Sequence, residues 1–232
     1  MRLSVRSRQP ERLDAQDVDP TELADCLRDL ASVNTVTLAR LPTLAFMRRV
    51  ARRAGGEEIS VLDVGSGEGD MLRRIARWGA RRGTRLRLVG IDLNPASAIV
   101  AQAATPPGLP ISYRTGDVFD EAPGSVDAVI SSLVTHHMSD DEIVSFLRWM
   151  EQTARIGWFI NDLHRHPLAY YGFKALSAAA AWHPIVQHDG AISVTRSFTG
   201  ADWARLLRAA GLQKVATVRW HVPFRFCVGR IR

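Results

Sequence analysis

The sequence has little cysteine and no long apolar run, and each shortage narrows the possible classes of protein. Cys26 and Cys227 are the only cysteines and lie near opposite ends of the 232 residues, so a disulfide framework has little support and a reducing cytoplasm is expected. The longest apolar stretch, at residues 175–182, is far shorter than the roughly 20 residues of a membrane span. We therefore expect a cytoplasmic protein without a membrane span.

Lysine is also scarce, although the chain is basic. Lys174 and Lys214 are the only lysines, and the formal charge of +6 comes from arginines spread along the whole chain. Nucleic-acid binding proteins concentrate basic residues on one patch, and no such run is present. The excess of arginine therefore indicates a compositional bias, and nucleic acid is not the expected partner.

Composition and length predict one folded α/β domain with a helical cap. Hydrophobic residues make up 46% and charged residues 23%, as in ordinary globular proteins. Residues 1–10 look like a flexible tail, with a transit peptide as the alternative. Asp19 and Pro20 predict the start of a helix, and a second helix ends at the glycines 55 and 56. Residues 1–56 are thus assigned to a tail and capping helices.

Residues 57–232 alternate short apolar runs with helical segments, which predicts a doubly wound, mainly parallel sheet. The last two β-prone stretches, 212–220 and 224–231, are separated by three residues, too few for a crossover helix. The last strand must therefore be antiparallel to its predecessor. An insertion at about 164–198 follows the fifth strand and is expected to cover the sheet edge as a lid, with residues 188–198 as a loop or short hairpin.

The stretch VLDVGSGEGD, residues 61–70, joins a buried strand to a helix through Gly65, Gly67 and Gly69. Such a turn lets a ligand approach the backbone, but Asp70 stands where a dinucleotide fingerprint has its third glycine. Asp92, at the end of the second strand, can accept the hydroxyls of a ribose. Asp63 would oppose a pyrophosphate and suits a ligand with a cationic end, such as S-adenosylmethionine.

Four segments resemble, in order and spacing, the successive motifs of class I S-adenosylmethionine-dependent methyltransferases. They are VLDVGSGEGD (61–70), VGIDLNP (89–95), YRTGDVFD (113–120) and VDAVISSLVTHH (126–137). The resemblance implies a seven-stranded sheet with the last strand inserted antiparallel, S-adenosylmethionine as cofactor and S-adenosylhomocysteine as product.

The same resemblance implies roles for individual residues. Gly65, Ser66, Gly67, Glu68 and Gly69 would pack against the cofactor. Asp63 would order the glycine loop, Asp92 would hold the ribose, and Leu93 would flank the adenine; Asp117 and Val118 would lie at the adenine edge and Leu133 at the methionine portion. Arg40 is a further candidate, as a clamp for the cofactor carboxylate, with a solvent-facing arginine as the alternative.

More narrowly, the N-terminal helices, the THH segment and residues 161–173 are similar to a bacterial group of small-molecule methyltransferases. Members of this group often act on phenolic polyketide or quinone-like compounds in secondary metabolism. This resemblance implies O-methylation of a small aromatic acceptor by a monomer or homodimer.

A phenolic acceptor must lose a proton, and histidine is a suitable base near neutral pH. His136 and His137 follow the fourth strand, and His164 and His166 follow the fifth, where doubly wound proteins bind ligands. We expect one of each pair to face the pocket, with His137 the first and His164 the second choice as catalytic group. The remaining expected lining residues are His136, His166, Tyr170, Tyr171 and Phe173. Because adjacent histidines point apart, no metal is assigned.

Two other functions stay open. The basic charge allows an RNA or protein methyltransferase, although the chain carries no appended RNA-binding module. The fold could also have been kept while methyl transfer was lost, as in a cyclase, a hydrolase-like enzyme or a binding protein, since fold does not fix function.

Overall fold

The computed structural model describes residues 3–14 and 20–232, and a seven-stranded sheet forms its centre. The strands are β1 (Ile59–Val64), β2 (Leu86–Asp92), β3 (Ile111–Thr115), β4 (Val126–Ser132), β5 (Ala154–Leu163), β6 (Thr217–His221) and β7 (Arg225–Ile231). Their order is β3-β2-β1-β4-β5-β7-β6, and β7 is antiparallel to both of its neighbours. The predicted fold class is confirmed. β6 begins later than expected, because residues before Thr217 form a turn after the preceding helix.

Helices cover both faces of this sheet. They are α1 (Pro20–Val36), α2 (Arg40–Ala54), α3 (Asp70–Ala80), α4 (Pro95–Ala103), α5 (Asp140–Thr153), α6 (Pro167–Ala179), α7 (Pro184–Arg196) and α8 (Gly200–Ala210). Alternate strand residues supply the two cores: Val61 packs with α2 and α3, whereas Leu62 packs with α5 and α8. Because β1 is buried on both sides, its sequence is mostly apolar before Asp63. The exception is Ser60, whose N–H and hydroxyl donate to Asp127.

The predicted lid after β5 is present as two helices, α6 and α7. The expectation of a loop or hairpin at residues 188–198 is wrong, since α7 continues to Arg196. His183 caps this helix and Pro184 occupies its first turn, while Gly190 packs directly against Phe173 of α6. Burial between elements has here outweighed the weak helix propensity of a β-branched segment.

The N-terminal segment lies against the lid, where a flexible tail was expected. The Ser7 N–H donates to the Thr195 carbonyl at 3.0 Å, and Arg6 donates to Asp140 at 2.7 Å and to the Arg196 carbonyl at 2.8 Å. Further along, the Arg12 and Leu13 N–H groups donate to the Asp189 carboxylate of α7, so the N-terminal segment is held against this helix at two places. The predicted cap at Asp19 lies outside the described residues, although α1 begins at Pro20 as expected.

Neither cysteine forms a disulfide; both are buried, Cys26 beside His183 and Cys227 within β7. Among the described helices, none combines the length and apolar character that a membrane span requires.

The junction between α1 and α2 is fixed to the sheet by a buried polar network. Asn161 of β5 donates to the Ala39 carbonyl at 2.7 Å. Arg225 of β7 donates to Thr37 Oγ1 at 3.2 Å and to Asn161 Oδ1 at 3.5 Å. This network holds the helical cap over the carboxyl edge of the sheet, where the expected ligands bind.

We predict that Asn161→Ala lowers the free energy of unfolding by about 2 kcal/mol, because buried hydrogen bonds to Ala39 and Arg225 are lost together. The measurement is urea unfolding followed by circular dichroism. Gln213→Ala, at an exposed turn residue, is the control. Equal stability of the two variants would contradict this role of Asn161.

Candidate active site

A cavity of about 490 Å³ lies at the carboxyl edge of the sheet, beneath α1, α6 and α7. Its floor includes Asp63, the glycine loop from Gly65 to Glu68, and Leu133. Its opposite walls come from the cap and lid, and Glu11, His136 and His137 form a polar group on the wall. The volume is within the roughly 300–1,000 Å³ of small-molecule sites.

The two ends of the glycine loop pack closely against other side chains, whereas the space over its middle residue is open. Gly65 and Gly69 have φ of +67° and +74°, and an added Cβ would lie 2.3 Å from Val134 and 2.1 Å from Tyr113, respectively. A Cβ on Gly67 would meet no atom within 4 Å. The loop therefore requires glycine at its ends and leaves room for a ligand over Gly67.

The Asp92 carboxylate fixes this loop from the neighbouring strand. Its Oδ2 accepts from the Gly67 N–H at 2.9 Å and its Oδ1 from the Asn94 N–H at 3.0 Å. Asp92 does not line the main cavity, nor do Gly69, Leu93, Asp117 and Val118. Leu93 is 75% exposed and Val118 is buried. Of the residues expected around the adenine, Leu93 and Asp117 are thus exposed outside the cavity, whereas Val118 is buried.

Asp63 is a buried carboxyl group on the cavity floor, with 3% of its surface exposed. Burial, together with the nearby Asp92 and Asp70 carboxylates, raises the pKa of Asp63 to about 8. Without a cation nearby, this group is mostly protonated at neutral pH. A cationic ligand would favour its ionised form.

Arg40 lines the cavity where the cap meets the glycine loop. Its guanidinium pairs with Asp70 at 2.8 Å and donates to Thr35 Oγ1 at 2.7 Å and to the Ala31 carbonyl at 3.2 Å. Its position beside the cavity leaves the carboxylate-clamp hypothesis open, and these contacts give it a second role as a link between α1 and α3.

Leu133 follows β4 and lies on the cavity floor. Although it is not a glycine, its backbone is left-handed, with φ of +60°. Its N–H donates to the Asn161 carbonyl at 3.0 Å. Strained backbone of this kind persists only where the surroundings fix it, and it is often found at functional sites.

His136 and His137 both reach the cavity, whereas only one of them was expected to do so. They lie in a 3₁₀ turn, Thr135–His137, and their ring centroids are 4.2 Å apart. Asp162 organises this turn: its carboxylate accepts from Thr135 Oγ1 at 2.6 Å, from the His136 N–H at 3.1 Å and from His136 Nδ1 at 2.8 Å. The tight turn prevents the two rings from pointing apart.

Glu11 completes this group from the N-terminal segment. Its carboxylate lies 3.5 Å from His136 Nε2 and 4.0 Å from His137 Nε2. Burial lowers the pKa of His136, but the Asp162 and Glu11 carboxylates outweigh this effect and raise the pKa to about 9. Burial raises the pKa of Asp162, but His136 and the hydrogen bonds to the carboxylate lower it to about 2. His136 and Asp162 therefore form a charged pair.

The second histidine pair lies away from the cavity. Trp220 donates to His164 Nδ1 at 3.2 Å, and the His164 ring packs on Phe226 of β7. Burial lowers the pKa of His164, and His166 and Arg165 lower it further. His166 accepts the Leu168 N–H and caps α6. Both rings pack beside Phe224, which itself lines the cavity, so the histidines lie one side chain away from it.

The helical rotation of α6 places one of the expected lining residues on the cavity wall and two outside it. Phe173 lies on the cavity wall with Leu168, Ala169, Gly172 and Leu176, which recur at helical spacing. Tyr170 and Tyr171 lie outside it, and Tyr171 is 64% exposed.

Two residues that shape this site, Glu11 and Asp162, were not assigned from the sequence. Glu11 lies in a segment without periodicity, so no local signal identifies it. Asp162 carried a signal: it is a carboxylate near the end of a mainly apolar strand, where a buried charge requires partners.

The site fits the cofactor that the motifs imply. The open face over Gly67 leaves the backbone accessible to a ligand. The Asp92 carboxylate beside the loop could accept from a ribose, and the buried acid Asp63 could pair with a cationic group. With this sheet order, they define a class I S-adenosylmethionine-dependent methyltransferase.

Comparisons with known proteins agree. The family model described as "Methyltransferase domain" matches residues 61–185, more than half of the chain, so the chain belongs to this family. No curated protein sequence matches it. Among solved structures, it is similar to the plantazolicin methyltransferase BpumL in complex with a monoazolic desmethylPZN analog and SAH, with 13% identity over 93% of this chain and 91% of that chain and a TM-score of 0.66.

Two further structures share the fold. A SAM-dependent methyltransferase from Aquifex aeolicus has 16% identity over 93% of this chain and 99% of that chain, with a TM-score of 0.58. The CMeT domain of the citrinin polyketide synthase has 11% identity over 76% and 47% of the respective chains, with a TM-score of 0.53.

We predict that Asp92→Ala weakens S-adenosylmethionine binding by roughly 10- to 100-fold, the loss expected for hydrogen bonds to a charged group. Isothermal titration calorimetry measures the dissociation constant. Asp141→Ala removes an exposed carboxylate in the first turn of α5 and should bind normally. Unchanged affinity in Asp92→Ala would show that the ribose contact is wrongly assigned.

We predict that the affinity for S-adenosylmethionine rises with pH up to about pH 8 and levels off above it. Asp63 must lose its proton to pair with a cationic ligand, so affinity gains up to about tenfold per pH unit below its pKa. Calorimetry at pH 6.5, 7.5, 8.5 and 9 measures this dependence, and Asp63→Asn should flatten it. A wild-type affinity independent of pH would refute the coupling.

Proposed function

We propose that the protein transfers the methyl group of S-adenosylmethionine to an oxygen of a small, largely apolar acceptor, a phenolic or enolic natural product or quinone precursor. It would act in the cytoplasm as a monomer or homodimer. The observation that carries this proposal is the cavity itself: a largely apolar chamber that adjoins the glycine loop and carries on its wall the polar group formed by Glu11, His136 and His137.

The chain's own residues would hold the cofactor on the sheet edge. In this proposal, the loop at 65–69 contacts its amino-acid portion, Asp92 accepts from its ribose, and Leu93 and Val118 border its adenine. When bound, the cofactor supplies a methyl group activated by a sulfonium. Arg40 and Asp63 are placed to contact its carboxylate and its cationic groups.

The acceptor would lie between the cap and the lid. Leu30 and Val33 of α1 face this space together with Phe173 and Leu176 of α6 and Val194 of α7. These side chains exclude water and favour a flat apolar molecule. Alignment of the reacting atoms about 3–3.5 Å apart can contribute roughly 7–11 kcal/mol to such a transfer.

The acceptor hydroxyl would point to the polar group, where its proton is removed. His137 remains our first choice for the contacting side chain, because it is partly exposed on the cavity wall. His164, our second choice, does not line the cavity and would contact an acceptor only if the side chains around it moved.

A second candidate acceptor is a peptide-derived heterocycle. The similarity to BpumL, whose crystal contains a desmethylPZN analog, favours including such a compound. RNA is disfavoured, because the cavity lies beneath helices and has mostly apolar walls.

The test is release of S-adenosylhomocysteine from S-adenosylmethionine with a panel of resorcinols, hydroquinones, catechols, an azole-containing peptide and bulk RNA. We expect turnover with one phenolic class, and mass spectrometry of the product identifies the methylated atom. His137→Ala should lower kcat by roughly 100-fold, as for a misplaced acceptor, while cofactor affinity is unchanged.

His221→Ala is the matched control, because His221 ends β6 outside the cavity; its turnover should equal that of the wild type. Loss of turnover in His164→Ala, with His137→Ala fully active, would place the acceptor elsewhere. Turnover on RNA alone would overturn the small-molecule proposal.

A further inference from the structure

We propose that Glu11, His136 and His137 form a binding site for a divalent transition-metal ion of the zinc type, on the wall of the acceptor cavity. The site is a property of these three side chains and is independent of the methyl-transfer proposal. Its use in holding an acceptor oxygen, argued below, rests on that proposal.

The donor atoms have the spacing that such an ion needs. Glu11 Oε1 lies 3.5 Å from His136 Nε2, and Glu11 Oε2 lies 4.0 Å from His137 Nε2; one ligand atom from each residue lies within 4.8 Å of the others. Metal–ligand distances of about 2.0–2.2 Å in a tetrahedral site separate the ligands by roughly 3.3–3.6 Å. Small side-chain rotations would bring all three atoms to one ion.

Asp162 sets the orientation of the His136 ring. Because the Asp162 carboxylate is an acceptor only, His136 Nδ1 must donate to it over their 2.8 Å contact, and His136 Nε2 is directed at Glu11. A carboxylate that accepts from the second ring nitrogen is the usual support of a metal-bound histidine, since it fixes the tautomer and the ring. With Nδ1 so engaged, Nε2 directs its own proton at Glu11 when no metal is bound; a divalent ion would displace this proton and bind both Nε2 and the Glu11 carboxylate.

Two side chains that are not themselves ligands also fix the positions of the three ligand residues. Ser193 donates to Glu11 Oε1 at 2.9 Å, and the Arg196 guanidinium lies 3.8 Å from the same oxygen. Arg196 also donates to the His136 and His137 carbonyls at 3.2 and 3.3 Å. Without an ion, the positive charges of Arg196 and His136 offset the carboxylates of Glu11 and Asp162. Binding of a divalent ion would release the His136 Nε2 proton and leave one net negative charge around the ion.

Two imidazoles and one carboxylate are the ligand set of catalytic zinc sites that keep a fourth position open. Here that position would face the cavity, because all three residues line it. A phenolic or enolic hydroxyl that binds the ion would release its proton to solvent and remain as the anion, since a bound cation lowers the pKa of its oxygen ligand. The ion would thereby select acceptors that carry an oxygen at the reacting end.

The experiment uses the full-length, tag-free protein, stripped with a chelator and dialysed. Zn²⁺ is titrated by calorimetry, and Co²⁺ by its visible ligand-field absorption, in the absence of acceptor and cofactor. We expect one ion per chain. Glu11→Gln and His137→Ala should each weaken binding at least roughly 100-fold and abolish the Co²⁺ absorption.

His221→Ala, a histidine removed from outside the cavity, should bind the ion like the wild type, and all variants should keep their affinity for S-adenosylmethionine, which shows that they are folded. No stoichiometric binding to the wild type, or equal binding by all variants, would overturn the site: a proton would then be the cation between His136 and Glu11. Binding of one ion per chain without methyl transfer to any acceptor would refute the proposed function but confirm the metal site. Full turnover of the chelated protein would refute the ion's role at the acceptor.

Discussion

The buried carboxylate of Asp162 is the constraint on which the site depends. A fully buried carboxylate costs several kcal/mol unless hydrogen bonds and an opposite charge compensate it. Asp162 obtains that compensation from Thr135, from the His136 backbone and ring, and from the Leu163 N–H at 2.7 Å. Satisfying one charge therefore fixes the turn after β4, the end of β5 and the position of both cavity histidines.

The two halves of the site follow from different parts of the chain. The cofactor side is local to the first two strands: a glycine loop that closes against Val134 and Tyr113, and a carboxylate that accepts from Gly67. The acceptor side is assembled from distant segments, since Glu11 meets His136 through the N-terminal segment and Phe173 arrives with the inserted lid. The turns at the ends of the first two strands supply the first half, whereas the insertion and the cap shape the second.

This division explains how much the sequence could predict. The sheet, its antiparallel last strand and the lid were predictable because apolar periodicity, glycine turns and the three-residue link are local signals. The helix at residues 188–196 was missed, since its contact with α6 is tertiary. His164 and Tyr170 were placed on the cavity because chain position alone does not give side-chain direction. Glu11 could not be predicted, because its function depends entirely on the tertiary position of a segment without periodicity.

The most direct test of the account is a crystal structure of the protein with S-adenosylhomocysteine and zinc. We expect the ribose hydroxyls to lie within hydrogen-bonding distance of Asp92 and the sulfur end of the ligand to point into the cavity. We expect the ion to lie among Glu11, His136 and His137. A ligand bound away from the glycine loop, or with its sulfur directed away from the polar group, would contradict it.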